Sequence, residues 1–477
     1  MRVVNLRART IRLTGTIAFS LTLAIAHFSP RAAQAETLAD ALVSAYNHSG
    51  LLDQNQALLR AADEDVASAV SELKPVLLWT ADLTQQFGSS RGSFSTSSTS
   101  VESLTIGANL IAELLIYDGG STQARIEATK ETVLATRNTL LNVEQVVLLR
   151  AVAAYMGVIE ANETVALRNN NLRLLTEELR AAQDRFEVGE VTRTDVALAD
   201  AQLAEARSGL AVAQGDLLRA DEEFRNVIGR RPDRLTTPPS LPNVGNDLAT
   251  AKALAVRKHP SLRAVQHQVA AAELLILAAE AAQKPRVTLN GGLNLSASDR
   301  DARSATGSVG IGASQTIYQG GALSSAVRSA MANRDAQRGN LHEVRHDVQQ
   351  DVGNAFADLL SARAQLEASE RQIRSARIAF QGVREEATLG ARTTLDVLDA
   401  EQALLDAEST RVTARAQLYI AAYSALAATG QLTAADLRLP VQIYDPAAYY
   451  NLVKDSPTKR SKQGEQLDRV LRALQKD

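Results

Sequence analysis

Two places in this sequence hold residue types at spacings that could do chemistry. His342-Glu343-Val344-Arg345-His346 fits H-E-x-x-H, in which two His at i and i+4 share a helix face, bind zinc, and leave the Glu to activate water. Five residues make a weak pattern. No further His or ligand motif follows it, and the positions 201 earlier, Leu141, Asn142 and Gln145, carry none of it. We read His342, Glu343 and His346 as a chance match on a charged, solvated helix face, and expect no metal, no cofactor and no catalytic residue. His48, His259 and His267 show no ligand spacing, and Gly307, Gly310 and Gly312 lie in a strand pattern, where a phosphate loop is not expected. The second place is Asp396 with Asp399, whose spacing of three puts both carboxylates on one helix face. An Asp following the Gly390 turn is also what a helix N-terminus favours. Asp195, at the matching place earlier in the chain, fits that capping role better.

The elements that must position these residues are written twice. Ile116-Tyr117-Asp118-Gly119-Gly120 recurs as Ile317-Tyr318-Gln319-Gly320-Gly321 at an offset of 318 − 117 = 201. The same offset carries Gly189 to Gly390, Thr192 to Thr393, Asp195-Val196 to Asp396-Val397 and Gly229 to Gly430. Between the copies, Pro232 to Asp247 has a linker composition that no helix crosses. Each copy contains two runs of alternating polarity near ten residues long. Leu77, Trp79, Ala81 and Leu83 are followed by Leu104, Ile106, Ala108 and Leu110; in the second copy, Val287 to Leu295 is followed by Val309, Ile311 and Ala313. That length and alternation suit tilted membrane strands with one oily face. Two amphipathic hairpins packed on helices in a soluble α+β domain would read the same way. Gly88 to Ser100 and Asp299 to Ala305 are expected as the outer loops. Four strands cannot close a barrel, but three copies would give twelve.

Pro75 and Pro285 stand before the strands and the Gly pairs after them, so helices must end and begin there. From Ser121 to Glu187 the pattern is helical without a proline. Such a helix spans about 100 Å at 1.5 Å per residue. Leu172, Leu175, Leu179, Ala182 and Phe186 are spaced 3, 4, 3, 4, and Ile373, Ala376, Phe380, Val383 and Ala387 repeat that register. Leu203, Ala206, Leu210, Ala213, Leu217, Ala220, Phe224 and Val227 continue a heptad. Sustained a/d spacing of this kind predicts coiled-coil packing.

Composition narrows the class. Aromatics are only 4% of the 477 residues, which favours closely packed helices, and a net charge of −3 implies no partner among nucleic acids. Arg2, Arg7, Arg9 and Arg12, the apolar Ile17 to Phe28 and Ala33-Gln34-Ala35 read as an export signal over residues 1–35. There is no Cys for disulfides or N-terminal acylation. Beyond the signal no segment reaches 18 apolar residues, so a membrane crossing is expected as strands. The domain boundaries expected are a first repeat over 36–229 with its hairpin near 76–117, a linker over 230–247, a second repeat over 248–440 with its hairpin near 286–318, and a C-terminal segment over 441–477. From Pro457 the tail is charged, and Leu467, Val470, Leu471 and Leu474 predict at most one short amphipathic helix there.

With these features the chain resembles the TolC family of outer-membrane efflux and secretion channels. Arg185 to Val196 and Gly390 through Thr393 to Gln402 carry the most specific likeness. The resemblance implies a mainly α fold with membrane β: a homotrimer whose twelve-stranded outer-membrane β-barrel, four strands per protomer, continues into a long twelve-helix periplasmic α-barrel. The linker and C-terminal segment would form an equatorial belt. It implies a passive exit conduit in the outer membrane of a Gram-negative bacterium, in contact with outer-membrane lipid. A periplasmic adaptor (membrane fusion protein) and an ABC- or RND-type inner-membrane pump would be its partners. Asp396 and Asp399 match an acidic ring at the closed end, where mutual repulsion would raise some pKa values and favour cations. Asp195 and Arg392 match a latch pair, while Ala387 stands where a locking tyrosine is expected. The tips Val188, Gly189, Glu190 and Leu389, Gly390, Ala391 resemble adaptor-docking sites, although a helix-ending glycine alone would explain them. Tyr444-Asp445-Pro446 resembles secretion-associated members slightly more than drug-efflux ones. A periplasmic coiled-coil adaptor or stalk is the rival, and the oily hairpins oppose it.

Overall fold

The computed structural model describes residues 36–90, 99–245, 247–299 and 303–474. The expected export signal lies outside them, as do most of the first hairpin loop and part of the second. The first copy runs α1 (Leu38–His48), α2 (Gly50–Ser71), β1 (Val76–Ser90), β2 (Thr99–Tyr117), α3 (Ser121–Glu187) and α4 (Arg193–Ile228). The second runs α5 (Leu248–Lys258), α6 (Pro260–Ala281), β3 (Arg286–Ser298), β4 (Arg303–Ser314), α7 (Ala322–Thr388) and α8 (Thr394–Ala428). Then come α9 (Pro446–Val453) and α10 (Lys462–Leu474). Both long helices have 67 residues, and α7 starts 322 − 121 = 201 positions after α3.

The four strands form one antiparallel sheet in chain order. Directly paired residues share a face, so the register sorts the side chains. Trp79 faces Leu110, Leu110 faces Leu293, and Leu289 faces Ile311. The same face carries Leu77, Ala81, Leu83, Ile106, Ala108, Leu295 and Val309. The opposite face carries Thr80, Asp82, Asn109, Thr288, Asn290, Asn294, Thr306 and Ser308. Asn109 Nδ2 donates to Thr80 Oγ1 at 3.3 Å and Asp82 Oδ1 at 3.2 Å, and Ser103 and Ser298 hydroxyls meet at 2.9 Å. Trp79 is 67% and Val309 84% exposed, so the oily face has no protein cover within the protomer. A sheet with one continuous apolar face and one hydrogen-bonded polar face fits lipid on one side and water on the other.

Both layers of the protomer end in open edges. β1 and β4 each lack a second neighbour. The long helices contact in the order α4, α3, α8, α7, which leaves α4 and α7 outermost. Leu218 on α4 and Leu360 and Ile378 on α7 are strongly exposed. Unpaired strand edges call for a partner strand. Three copies, each contributing four strands and four helices, would close both tubes.

The heptad reading holds where the helices run side by side. Leu175, Leu203, Ala206 and Leu398 bury one another, with Leu172 and Leu179 against them, and Ile373 and Phe380 are buried. At the tips it frays: Phe186 is 45% exposed. The main core lies higher, where α1, α2, mid-α3, the end of α4 and the segment after α8 meet. Tyr155 is fully buried there, its hydroxyl 2.8 Å from Glu36 O and 2.6 Å from Thr236 O. That places the inter-repeat segment and the residues before α1 against one point of α3.

Two expectations need correction. β1 and β2 are 15 and 19 residues long, well beyond ten. The second hairpin ends at Ser314, short of 318, because β4 is an edge strand: the matching stretch of β2, Leu114 to Tyr117, pairs with β3, whereas Ile317 and Tyr318 have no strand beside them. One stretch of α3 is apolar enough on average to pass for a membrane helix by length and composition, although it holds no run of 18 apolar residues. Most of it is buried within the protomer, so it is core. The tail from Pro457 holds one helix, as expected, and a second short helix precedes it. α10 covers the expected Leu467 to Leu474, and α9 begins where Asp445 Oδ1 accepts from Ala447 N at 2.8 Å with Pro446 in the first turn. Tyr444-Asp445-Pro446 is therefore a helix start, and that local role explains it without reference to cargo.

Candidate gate at the helix tips

Each coiled pair turns at its lower end through the same five-residue device. α3 stops at Glu187 and α7 at Thr388, and Gly189 and Gly390 take φ +82° and +75°, a region that side chains with a Cβ rarely adopt. Their N–H groups reach back to Phe186 O at 3.0 Å and Ala387 O at 3.1 Å. The next helices begin with matching capping boxes. Thr192 N and Oγ1 donate to Asp195 Oδ2 at 2.8 and 2.7 Å, while Asp195 N donates to Thr192 Oγ1 at 3.3 Å. In the second copy Thr393 N and Oγ1 both lie 2.9 Å from Asp396 Oδ2.

Asp396 is thus a cap as much as Asp195 is. Hydrogen bonds from the Thr393 backbone N–H and then its hydroxyl hold the Asp396 carboxyl below the usual carboxylate range. This is opposite to the raised value expected for a crowded ring, because within one protomer the charge meets two donors and no second carboxylate. The bonds engage a single oxygen, Oδ2. Asp399 lies one turn on and is exposed.

The two tips sit side by side around a crevice of about 520 Å³, lined by Arg185, Glu190, Thr192 and Asp195 from one turn and Ala387, Arg392 and Thr393 from the other. Asp195 and Arg392, the expected latch pair, therefore share this crevice. Within the protomer, however, Arg392 Nε pairs with Glu386 Oε2 at 2.8 Å, and Asp195 is occupied by its cap. Ala387 opens the crevice wall where a larger residue would fill it. At the tips Val188 is 72% and Leu389 85% exposed.

Above the crevice a line of polar contacts joins the helices. Arg384 Nε of α7 lies 3.3 Å from Glu178 Oε1 of α3, and Arg377 Nη2 of α7 lies 2.7 Å from Glu408 Oε1 of α8. Between them Asn171 Nδ2 of α3 donates to Glu401 Oε1 of α8 at 2.8 Å, with both residues buried. Sequence reasoning missed Glu386, Glu178, Arg384, Asn171 and Glu401. Glu401 could have been found, because it follows Leu398 by three and precedes Leu405 by four, a charged residue at a core heptad position.

His342 and His346 lie on the exposed surface of α7 with their Nε2 atoms 3.2 Å apart. No group of three or more His, Cys, Asp or Glu placed to hold a metal occurs among the described residues.

Known proteins share this arrangement. A family model described as outer membrane efflux protein matches residues 41–230 and 253–431, one stretch per copy. The chain is 35% identical over 459 residues to the outer membrane efflux protein BepC of Brucella suis, covering 94% of this chain and 95% of BepC. It is 29% identical over 312 residues to the alkaline protease secretion protein AprF of Pseudomonas aeruginosa, covering 62% of this chain and 63% of AprF. Among solved structures, the CmeC outer membrane channel of Campylobacter jejuni matches with a TM-score of 0.74 at 16% identity, covering 88% of this chain and 90% of that one. The chain belongs to the outer membrane efflux protein family, and three copies of it form an outer-membrane exit channel that extends into the periplasm.

Proposed function

We propose that the channel is a passive conduit, performing no chemistry of its own, whose periplasmic end is both its gate and its docking surface. An adaptor hairpin seats on Val188, Gly189, Glu190 and on Leu389, Gly390, Ala391, and an inner-membrane pump of the ABC or RND type supplies the energy. The observation that carries this is the pair of matched turns with exposed apolar tips flanking one charged crevice. Residues 230–247 and 441–477 form the belt around the tube. Efflux of small molecules is the favoured cargo class: BepC, named for efflux, is matched over 95% of its length, and AprF, named for alkaline protease secretion, over 63%. A photo-crosslinking residue at Ala391 in living cells should capture a periplasmic adaptor. Capture of no periplasmic protein, with the trimer intact, would refute the docking role.

Arg392 serves as a latch that exchanges between Glu386 and Asp195 as the tips part. Asp396 and Asp399 of three protomers line the constriction, each Asp396 keeping one oxygen for its cap. Such a ring attracts cations and rejects anions. Converting Asp396→Asn together with Asp399→Asn should weaken block of single-channel current by a trivalent cation by an order of magnitude, roughly. Block retained at full strength removes the ring from the mechanism.

A further inference from the structure

Glu401 is 5% exposed, in the seam where α8 lies against α3. One carboxylate oxygen accepts from Asn171; the other, Oε2, is buried with no hydrogen-bond partner. The cations within reach are engaged elsewhere. From α7, Arg384 pairs with Glu178 and Arg377 with Glu408; from α3, Arg173 lies 3.4 Å from Glu177. Of the neighbouring carboxylates, Glu178 of α3 adds like charge, and Glu408 of α8 lines the same recess. A recess of about 100 Å³ beside Asn171, Phe380, Glu401 and Leu405 leaves room for water if the seam loosens.

A neutral carboxylic acid tolerates such a place far better than a bare carboxylate, whose burial is costly without a paired cation. We propose that Glu401 is a positioning residue of the gate: protonated, it lets the α3–α8 seam shut, and its ionisation drives the seam toward a parted, hydrated state. The proposal rests on the reading of the tips as the gate. Burial is the main cause that pushes Glu401 up from 4.5 to about 7; the Asn171 hydrogen bond and Arg384 oppose it, and Glu178 adds to it. A parted seam returns the group toward its ordinary value. The shut state therefore has its full advantage below about pH 4.5 and loses it as pH rises to about 7, because parting then releases a proton.

Conductance in planar bilayers from about pH 5 to about pH 8 tests this, in an Asp396→Asn, Asp399→Asn background that removes the ring carboxylates. With Glu401 present, conductance should rise with pH, by at most about tenfold per pH unit for each proton released. With Glu401→Gln it should stay flat at the low-pH level. If that variant yields no trimer, Glu401→Leu, which restores an apolar heptad position, should give the same flat profile. A Gln or Leu variant that keeps the full pH rise overturns the proposal. Failure of the gate reading shows separately, as an Arg392→Ser channel whose conductance is unchanged at every pH.

Discussion

Leu110→Arg should abolish the outer-membrane trimer, while Thr306→Arg should leave it assembled. Leu110 sits midway along β2 with Trp79 and Leu293 directly opposite, so it stands near the middle of the oily face. An Arg at the midplane of a membrane barrel costs about 2–4 kcal/mol, and a trimer incurs that in every protomer. Folded domains survive on margins of about 5–15 kcal/mol, so the summed cost is enough to prevent assembly. Thr306 pairs with Asn294 on the polar face, where water can hydrate an introduced guanidinium. Heat-modifiable migration of outer-membrane extracts reads both outcomes. Equal loss in the two variants would mean the faces are assigned wrongly.

Arg392→Ser should raise single-channel conductance severalfold. Arg392 is the cation that the crevice shares between its two walls, paired with Glu386 and close enough to Asp396 to feel its charge. Its loss leaves Glu386 without its partner and takes one of the two arginines out of the crevice lining, so the acidic groups of the tips repel more strongly. The pair is exposed, hence sensitive to salt, and the gain should shrink as ionic strength rises. Unchanged conductance would remove the latch.

Long periodicity made much of this fold legible. α3 runs from Ser121 to Glu187 in both sequence pattern and structure because no proline interrupts it and Gly at each end stops it. The faces of the strands followed from alternation alone, since a pleated strand has no other way to point its side chains. Strand length did not follow. β1 and β2 run on into polar, Ser-rich sequence at Phe87 to Ser90, where pairing between neighbours rather than polarity sets the end. The end of β4 was illegible for the reverse reason: Ile317 and Tyr318 copy Ile116 and Tyr117, but only the interior strand has a neighbour to pair with.

The site was legible in place rather than in wiring. The two turns and the two Asp positions stand where the repeat put them. The Arg392–Glu386 pair was not foreseen, whereas a cap after the Gly390 turn was one of two readings left open, because an Asp three residues after a Thr suits a cap and a ring equally. Glu401 was passed over as part of a motif, although it interrupts an otherwise apolar heptad row. A charge at such a position is the signal to heed.

The central claim is that three copies close both the strand edges and the helix edges into one tube. Electron cryomicroscopy of the detergent-extracted particle, viewed down its long axis, tests it most directly. The account predicts a threefold ring around a single continuous lumen that narrows where Asp396 and Asp399 meet. A monomer, a twofold particle or a solid helical stalk without a lumen would contradict it.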